Sequence, residues 1–579
     1  MQTKDRARLR SDLTRKPSVV VESGPGPAAD RVALFIKRAG SAKHNRSMNE
    51  IELKFQVPAS RRAQVDAAVA GRAPQRRVRL QAVYVDTPER LLAQAGMALR
   101  VRREGREWVQ TLKGPTDDGI SRAEHNVRLG NATEVPLVDP ARHRGTAVGE
   151  RMLKLLAAQP GAVLGPLYRT DILRRSRLQR VNGAPRPPNG DRPPRGSRNS
   201  GAAHRFLASG SVELAFDEGR ILAGDAHIAV CELEIELVAG SPLAVIDTAR
   251  GWVARHGVWL DTRSKAERGD LLARGEAEAP ARGAAPVELD PGLSLHQAWL
   301  RVLRSCAEQV SVNASQVASG KHGDEHVHQL RVGLRRLRSA MRLFEFGGEP
   351  MLPGDVGEAA ASLFRRLGGA RDQVAIQGAF AADLTAALHS AGVQGEMPPA
   401  MADADAQSAT DVLRSPASQA FLLDLLAGAH AGAHAGAPVG DIGDGAANLE
   451  LKAMLTRRLK RWHRQATRDA QGYAQLDDEG RHRLRKRIKR LRYAVEFAGS
   501  LFSRAAVRRY LRALRALQDR LGAINDAVVG IGAFNAARDS DPRAWFAVGW
   551  LAARRDVLVT DAKPELRRFA KARGFWKDK

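Results

Sequence analysis

Between residues 50 and 240, charged and apolar positions alternate in several short stretches, and each stretch predicts a β-strand with one polar and one apolar face. Glu50-Ile51-Glu52-Leu53-Lys54-Phe55 puts Glu50, Glu52 and Lys54 on one face and Ile51, Leu53 and Phe55 on the other. Arg100 and Arg102 share a face opposite Leu99 and Val101. Glu213 and Asp217 lie opposite Leu214 and Phe216, and Glu232, Glu234 and Glu236 lie opposite Leu233, Ile235 and Leu237. Any one of these strands is an ordinary half-exposed antiparallel strand. Together they carry both signs in separate clusters. If they close into a barrel with apolar faces outward under covering helices, the charged faces line a common tunnel.

Beyond residue 290 the period lengthens to that of a helix. Successive helical residues turn by about 100°, so His328, Arg331, Arg335, Arg338 and Arg342 fall within one narrow arc, and Leu330, Leu334, Leu337, Met341 and Phe344 fall on another. His482, Arg485, Lys489 and Arg492 repeat the pattern against Leu484, Ile488, Leu491 and Val495. A shift of 154 (482 − 328) superposes the two stretches and also carries Leu367-Gly368-x-x-Arg371-Asp372 onto Leu521-Gly522-x-x-Asn525-Asp526. Two matches in one register imply a duplicated helical unit. A solvated charged face normally intersperses carboxylates with its cations, and here their share is small, so a polyanion is the expected partner. The neighbouring positive charge favours neutral imidazoles at His328 and His482, which can still donate a hydrogen bond to phosphate.

Stretches without a period divide the chain. Residues 1–47 read as a disordered basic tail, and residues of about 179–210, rich in Pro, Gly and Arg, as a loop inserted within a domain. The expected organisation is a strand-rich domain over 48–275, a linker at 276–290 bearing Pro280 and Pro286, and a helical domain over 291–570 whose repeats are separated near 427–445. His430 and His434 have the spacing of metal ligands on a helix, but the surrounding glycines argue against a helix there.

Composition narrows the partners. A net charge of +28 calls for anions: nucleic acid, phosphate polymers or an acidic membrane surface. Two distant cysteines, Cys231 and Cys306, provide neither a disulfide framework nor a thiolate zinc site. The chain has no run of about twenty apolar residues, and residues 1–47 lack an apolar signal core, so a cytoplasmic location is expected. In the strand-rich domain, facing carboxylates repel unless a cation sits between them. Three or more of them without clustered Cys or His select a hard ion, Mg²⁺ or Mn²⁺. Arg and Lys on the other walls then suit a multiply charged anion such as a phosphate chain.

Glu50-x-Glu52-x-Lys54 resembles the E-x-E-x-K signature of the CYTH, or triphosphate tunnel metalloenzyme, superfamily. Tyr84-x-Asp86-Thr87-Pro88, Leu99-Arg100-Val101-Arg102, Trp108-x-x-Thr111-Leu112-Lys113-Gly114, Arg122-x-Glu124, Asp217-x-Gly219, Glu232-x-Glu234-x-Glu236 and Ser264-Lys265-x-x-Arg268-Gly269 follow in that family's order. The helical repeats resemble the CHAD domain, a duplicated helical module that binds inorganic polyphosphate. The order of the two resembles the bacterial inorganic triphosphatases. The resemblance implies an α+β protein: an eight-stranded antiparallel β tunnel with covering helices, then an all-α domain of two duplicated bundles.

It further implies metal-dependent hydrolysis of inorganic triphosphate. Glu50, Glu52, Asp217, Glu234 and Glu236 would hold the metal, and Lys54, Arg100, Arg102, Lys113, Arg174 and Lys265 the phosphates. Arg169, Arg175 and Arg177 are close alternatives to Arg174. Glu52 and Lys54 are the expected catalytic pair, Lys54 contacting either the attacking water or a phosphate. Polyphosphate would lie along His328, Arg331, Arg335, Arg338, His482, Arg485, Lys489 and Arg492, with docking on polyphosphate granules as a consequence. Nucleic acid is disfavoured because the cation rows lack interleaved aromatics and aromatic residues make up only 5% of the chain. The remaining rivals are a non-catalytic polyphosphate scaffold and a CYTH enzyme acting on nucleoside or thiamine triphosphate, or cyclising ATP.

Overall fold

The computed structural model describes residues 51–72, 74–115, 122–159, 161–181, 209–345, 352, 355–394, 407–431 and 447–577. Glu50, the tail at 1–47, His434 and most of the insertion lie outside the described residues.

The protein is α+β. Its sheet strands are β1 (Glu52–Gln56), β2 (Arg76–Asp86), β3 (Ala98–Glu104), β4 (Glu107–Pro115), β5 (Arg122–Gly130), β6 (Gly165–Val181), β7 (Gly210–Ala223), β8 (Ala226–Gly240) and β9 (Trp259–Leu260). They pair antiparallel in the order β5-β4-β3-β2-β6-β7-β8-β1-β9. The expected eight strands are thus nine. The ninth is a two-residue strand on the edge of β1, too short to show alternation in sequence, and among the described residues no ladder joins β5 to β9. The sheet nonetheless curls: β4 stands second and β1 eighth in this order, yet Glu52 of β1 and Lys113 of β4 line one cavity, the lumen.

Helices α1 (Arg62–Ala70), α2 (Leu91–Gln94), α3 (Ala147–Ala157), α4 (Leu243–His256) and α5 (Lys265–Ala273) attend the sheet. Phe55, Leu214, Phe216, Leu233 and Ile235 point outward into a core shared with Val245, Ile246, Ala249 and Trp252 of α4. Apolar faces outward and charged faces inward is the arrangement the alternation predicts. α5 instead covers the lumen, where Ala266 and Leu272 pack with Tyr84, Tyr168, Ile172 and Ile221. Gly269 permits this approach, since a Cβ there would sit 2.3 Å from the Tyr168 ring.

The C-terminal part is helical: α6 (Leu295–Ala318), α7 (Asp324–Phe344), α8 (Val356–Arg366), α9 (Gly369–Ser390), α10 (Ala409–Arg414), α11 (Pro416–Ala431), α12 (Ala447–Gln471), α13 (Asp478–Ala498), α14 (Arg504–Ala537), α15 (Arg543–Asp561) and α16 (Lys563–Ala570). Both ends of α13 stand 154 residues beyond those of α7 (478 − 324 and 498 − 344). Leu330, Leu334 and Leu337 of α7 and Leu484, Ile488 and Leu491 of α13 are fully buried, as the periodicity predicts. No described helix is long and apolar enough to cross a membrane.

One expectation is corrected. α11 runs to Ala431 through the glycine-containing stretch, so His430 is helical, its Nδ1 2.8 Å from the Leu426 carbonyl oxygen. Gly428 is accepted there because a Cβ would lie 2.3 Å from Leu352, so close packing outweighs its low helix propensity. The linker at 276–290 packs on the helices: Val287 and Leu289 are buried, and Arg282 and Asn313 of α6 exchange two hydrogen bonds of 3.0 and 2.9 Å. One apolar core runs from the outer face of β1, β7 and β8 through α4 into Trp299 and Leu303 of α6 and Leu422 of α11.

Candidate active site

Antiparallel register brings the lumen residues into rows. Gln56, Glu232 and Asp217 lie side by side on β1, β8 and β7; Lys54 lies opposite Glu234; and Glu52, Glu236 and Glu213 form a third row. On β6, Arg174 faces Asp217. Two residues on, β7 passes close to β6, and a Cβ at Gly219 would lie 2.0 Å from the Asp171 carbonyl oxygen.

Asp217, Glu232 and Glu234 are buried, with carboxylate oxygens within 4.8 Å of one another. Three cations enter this cluster. Arg174 donates from Nε and Nη2 to Asp217 at 2.7 Å each and also pairs with Glu234. Lys265, the first residue of α5, meets Asp217 at 2.7 Å, Glu234 at 2.8 Å and Glu232, while Arg268, one turn on, pairs with Glu232. Burial alone would raise the Asp217 and Glu234 carboxyls, but Arg174 and Lys265 hold both below the ordinary carboxylate value, Glu234 far below. Burial would likewise strip the proton from Lys265, and the three carboxylates reverse that, keeping it above the usual lysine value.

The other predicted residues line the same lumen. Lys54 pairs with Glu52; burial opposes both charges, yet Lys54 stays raised and Glu52 lowered. Lys113 is 2.7 Å from Glu124. Arg100 donates to the Tyr84 hydroxyl at 2.9 Å, and Arg102 to Glu104 at 2.8 Å. The Tyr84 phenol, which burial would push up, is held below its usual value by Arg100, Arg102 and Lys265. Among the arginines of β6, Arg175 turns to Asp66 and Arg177 to the Ala68 carbonyl oxygen, while Arg169 is exposed, so Arg174 alone of these reaches the cluster.

The metal set read from sequence is therefore divided. Asp217 and Glu234 belong to the tight cluster, but its third member is Glu232, with Glu236 one row away opposite Glu52. The alternation had placed Glu232 on this face; only the resemblance favoured Glu236. Arg268 and Tyr84 were visible as motif letters without a role. The donor set fits a hard divalent ion, being carboxylate oxygens from adjacent strands without thiolate or imidazole.

On the helical side, α7 and α13 pack so that their cation rows meet. Arg335 acts on Lys489, and Arg338 and Arg342 on Arg490. Arg331 lies 4.7 Å from the Phe364 ring and donates to the Gly368 carbonyl oxygen at 3.3 Å. Arg492 pairs with Glu496 at 2.9 Å, and Arg485 lies 4.0 Å from Asp526. His328 is half-buried. The His482 Nδ1 is 2.7 Å from Asn525 Oδ1, and burial, with Lys486, Arg485 and Lys489, keeps its imidazole below the usual pKa. Burial and Arg485 push Lys489 down to about 6. Arg485, Lys489 and Arg554 line a cavity of about 440 Å³.

The CYTH domain family matches residues 48–269 and the CHAD domain family residues 301–535. The chain carries a CYTH domain followed by a CHAD domain. An inorganic triphosphatase of Haemophilus influenzae is 29% identical over 192 residues, 33% of this chain and 44% of that protein, so the chain spans less than half the length of this curated relative. The crystal structure of the CHAD domain from the plant Ricinus communis is 26% identical, with 51% of this chain and 98% of that chain covered and a TM-score of 0.41. A Hippeastrum protein named for adenylyl cyclase, and described as having a dominant triphosphatase activity, is 16% identical, with 39% and 96% covered and a TM-score of 0.24. In these terms the acidic cluster belongs to the CYTH domain, and the joined rows of α7 and α13 belong to the CHAD domain.

Proposed function

We propose that the CYTH domain hydrolyses inorganic triphosphate with Mg²⁺ or Mn²⁺, and that the CHAD domain binds polyphosphate. The observation that carries this reading is the meeting of Asp217, Glu232 and Glu234 with Arg174 and Lys265 inside a curled sheet, since a phosphate chain with its metal is the ligand that satisfies both signs at once. Asp217, Glu234 and Glu52 would hold the ion, with Glu232 as the third buried carboxylate of the cluster. The ion's contribution is to polarise phosphate oxygens and acidify water.

The chain's own residues do the rest. Arg100, Arg102 and Lys113 bind anionic oxygens from the β3 and β4 walls. Arg174 and Lys265 orient the chain and neutralise charge that develops on its oxygens, as preorganised cations in a partly dry site. Glu52 keeps Lys54 protonated, so its ammonium acts as a hydrogen-bond donor to a phosphate or to the attacking water. Tyr84, Tyr168 and Ile172, with α5, exclude water from one side of the lumen. On the CHAD domain, anionic oxygens would meet His328, Arg331, Arg335 and Arg338 together with His482, Arg485, Lys489 and Arg492. Cytoplasmic polyphosphate, free or in granules, is the partner that suits both domains.

Parallel initial rates on tripolyphosphate, ATP and thiamine triphosphate with Mg²⁺ test the reading. Tripolyphosphate is expected to lead, with orthophosphate as a product. A higher rate on ATP yielding cyclic AMP, or on thiamine triphosphate, would replace it.

A further inference from the structure

Lys265 opens α5, so its position is set by the four residues, Asp261–Ser264, that join β9 to that helix. Ser264 caps α5 in a reciprocal box with Glu267, which fixes the helix to this connection. β9 itself is two residues long and, among the described residues, pairs on one side only, with β1. A strand so short has little stability of its own.

Its other side is held by the helical domain. The Leu260 amide, directed away from β1, donates to Gln419 Oε1 of α11 at 2.7 Å. A side-chain amide thus stands where the next strand of the sheet would be. Gln419 is fully buried, and its Nε2 donates to the Leu413 carbonyl oxygen at 2.8 Å, so the amide cannot turn away. Two residues on, the Thr262 amide and hydroxyl both donate to Ser315 Oγ of α6, at 3.0 and 3.2 Å. That hydroxyl spends its own proton on the Ser311 carbonyl oxygen at 2.8 Å, leaving its lone pairs for Thr262. The Arg414 guanidinium of α10 caps the Trp259 ring at 4.2 Å.

We propose that the CHAD domain is a positioning element of the tunnel: Gln419, Ser315 and Arg414 grip the connection from β9 to α5 and so aim Lys265 into the acidic cluster. They are positioning residues, since each touches the backbone or ring that carries Lys265 and none touches the lumen cluster. The catalytic part of this inference rests on the triphosphatase reading.

The test uses the full chain with Gln419→Met, which keeps the volume and removes the acceptor, and Ser315→Ala, a milder change. Losing a buried acceptor changes a local equilibrium by roughly five- to hundredfold, so amide hydrogen exchange at Leu260–Lys265 is expected to speed up about tenfold in each variant. Tripolyphosphate kcat is expected to fall about tenfold while KM moves by less than about threefold, with polyphosphate affinity unchanged. On a Lys265→Ala background, Gln419→Met is expected to lower kcat no further, because the two act through one group. Unchanged exchange in both variants overturns the proposal, as does a kcat loss that persists in full without Lys265. If the unaltered chain does not hydrolyse tripolyphosphate, the triphosphatase reading fails instead, and the exchange rates alone decide whether the grip exists.

Discussion

The lumen of the curled sheet and the helical rows both concentrate cations, and they settle the resulting repulsion in opposite ways. In the lumen, Lys54, Arg174 and Lys265 each meet carboxylates, and each holds its proton more tightly than a free side chain does. On α7 and α13, burial and neighbouring guanidinium groups loosen the protons instead: Lys489 falls to about 6 and Arg490 to about 10, and Arg338 is lowered too. The carboxylates at the start of these helices, Asp324, Glu325, Asp478 and Glu479, sit in the first turn, where they answer the helix dipole, and Asp478 and Glu479 pair with Arg481, Arg555 and Arg483, which lie outside the row. The acidic cluster is therefore matched by the cations that enter it, while the rows hold cations that burial and mutual repulsion make easier to deprotonate.

Removing metal separates the two most strongly. Chelation with EDTA is expected to cut tripolyphosphate hydrolysis at least about 10³-fold while leaving long-chain polyphosphate bound, as read by phosphate release and filter binding. Loss of both together would mean that one site serves both ligands. Next in size is Glu234→Gln, which withdraws the charge shared by Arg174, Lys265 and Lys54. A fall in kcat of about 10²-fold is expected, with polymer affinity intact; near-normal turnover would move the metal away from the cluster.

The rows give a pH signature that the lumen does not. Lys489 has a native pKa of about 6 against an ordinary value of 10.5. Between those limits the unfolded chain binds a proton that the folded chain does not, so this residue's burden on stability is greatest at or below pH 6 and lightens as pH rises. Lys489→Met is expected to raise the melting temperature most near pH 6 and least near pH 10. A bound polyanion returns the proton to Lys489, so polymer affinity is expected to weaken above pH 6 by up to about tenfold per unit. Lys489→Arg should flatten that profile in a titration by calorimetry, and an unchanged slope would detach the residue from the anion.

Sequence served these regions unequally. Alternation assigned Glu52, Lys54, Arg100, Arg102 and Asp217 to the lumen because a one-residue slip would turn every apolar partner out of the core. The 154-residue echo anticipated α7 and α13 because each buries one leucine-rich face. Curvature was legible only through the resemblance: nothing local brings Lys113 of β4 near Glu52 of β1. That Glu232 rather than Glu236 clusters with Asp217 and Glu234 depends on where Arg174, Lys265 and Arg268 enter, and those residues come from a strand and a helix far from β8 in the chain. β9 and the role of Gln419 were beyond reach for the same reason, since two residues carry no period and a glutamine in an apolar helix has no pattern.

Val181 and Gly210 face one another as the last pair of the β6–β7 ladder, so the alignment of Arg174 with Asp217 is already settled before the chain leaves the sheet. Replacing residues 182–208 with a short turn, Ser209 being kept because its carbonyl oxygen accepts from the Ser241 amide at 3.0 Å, is therefore expected to leave that alignment intact.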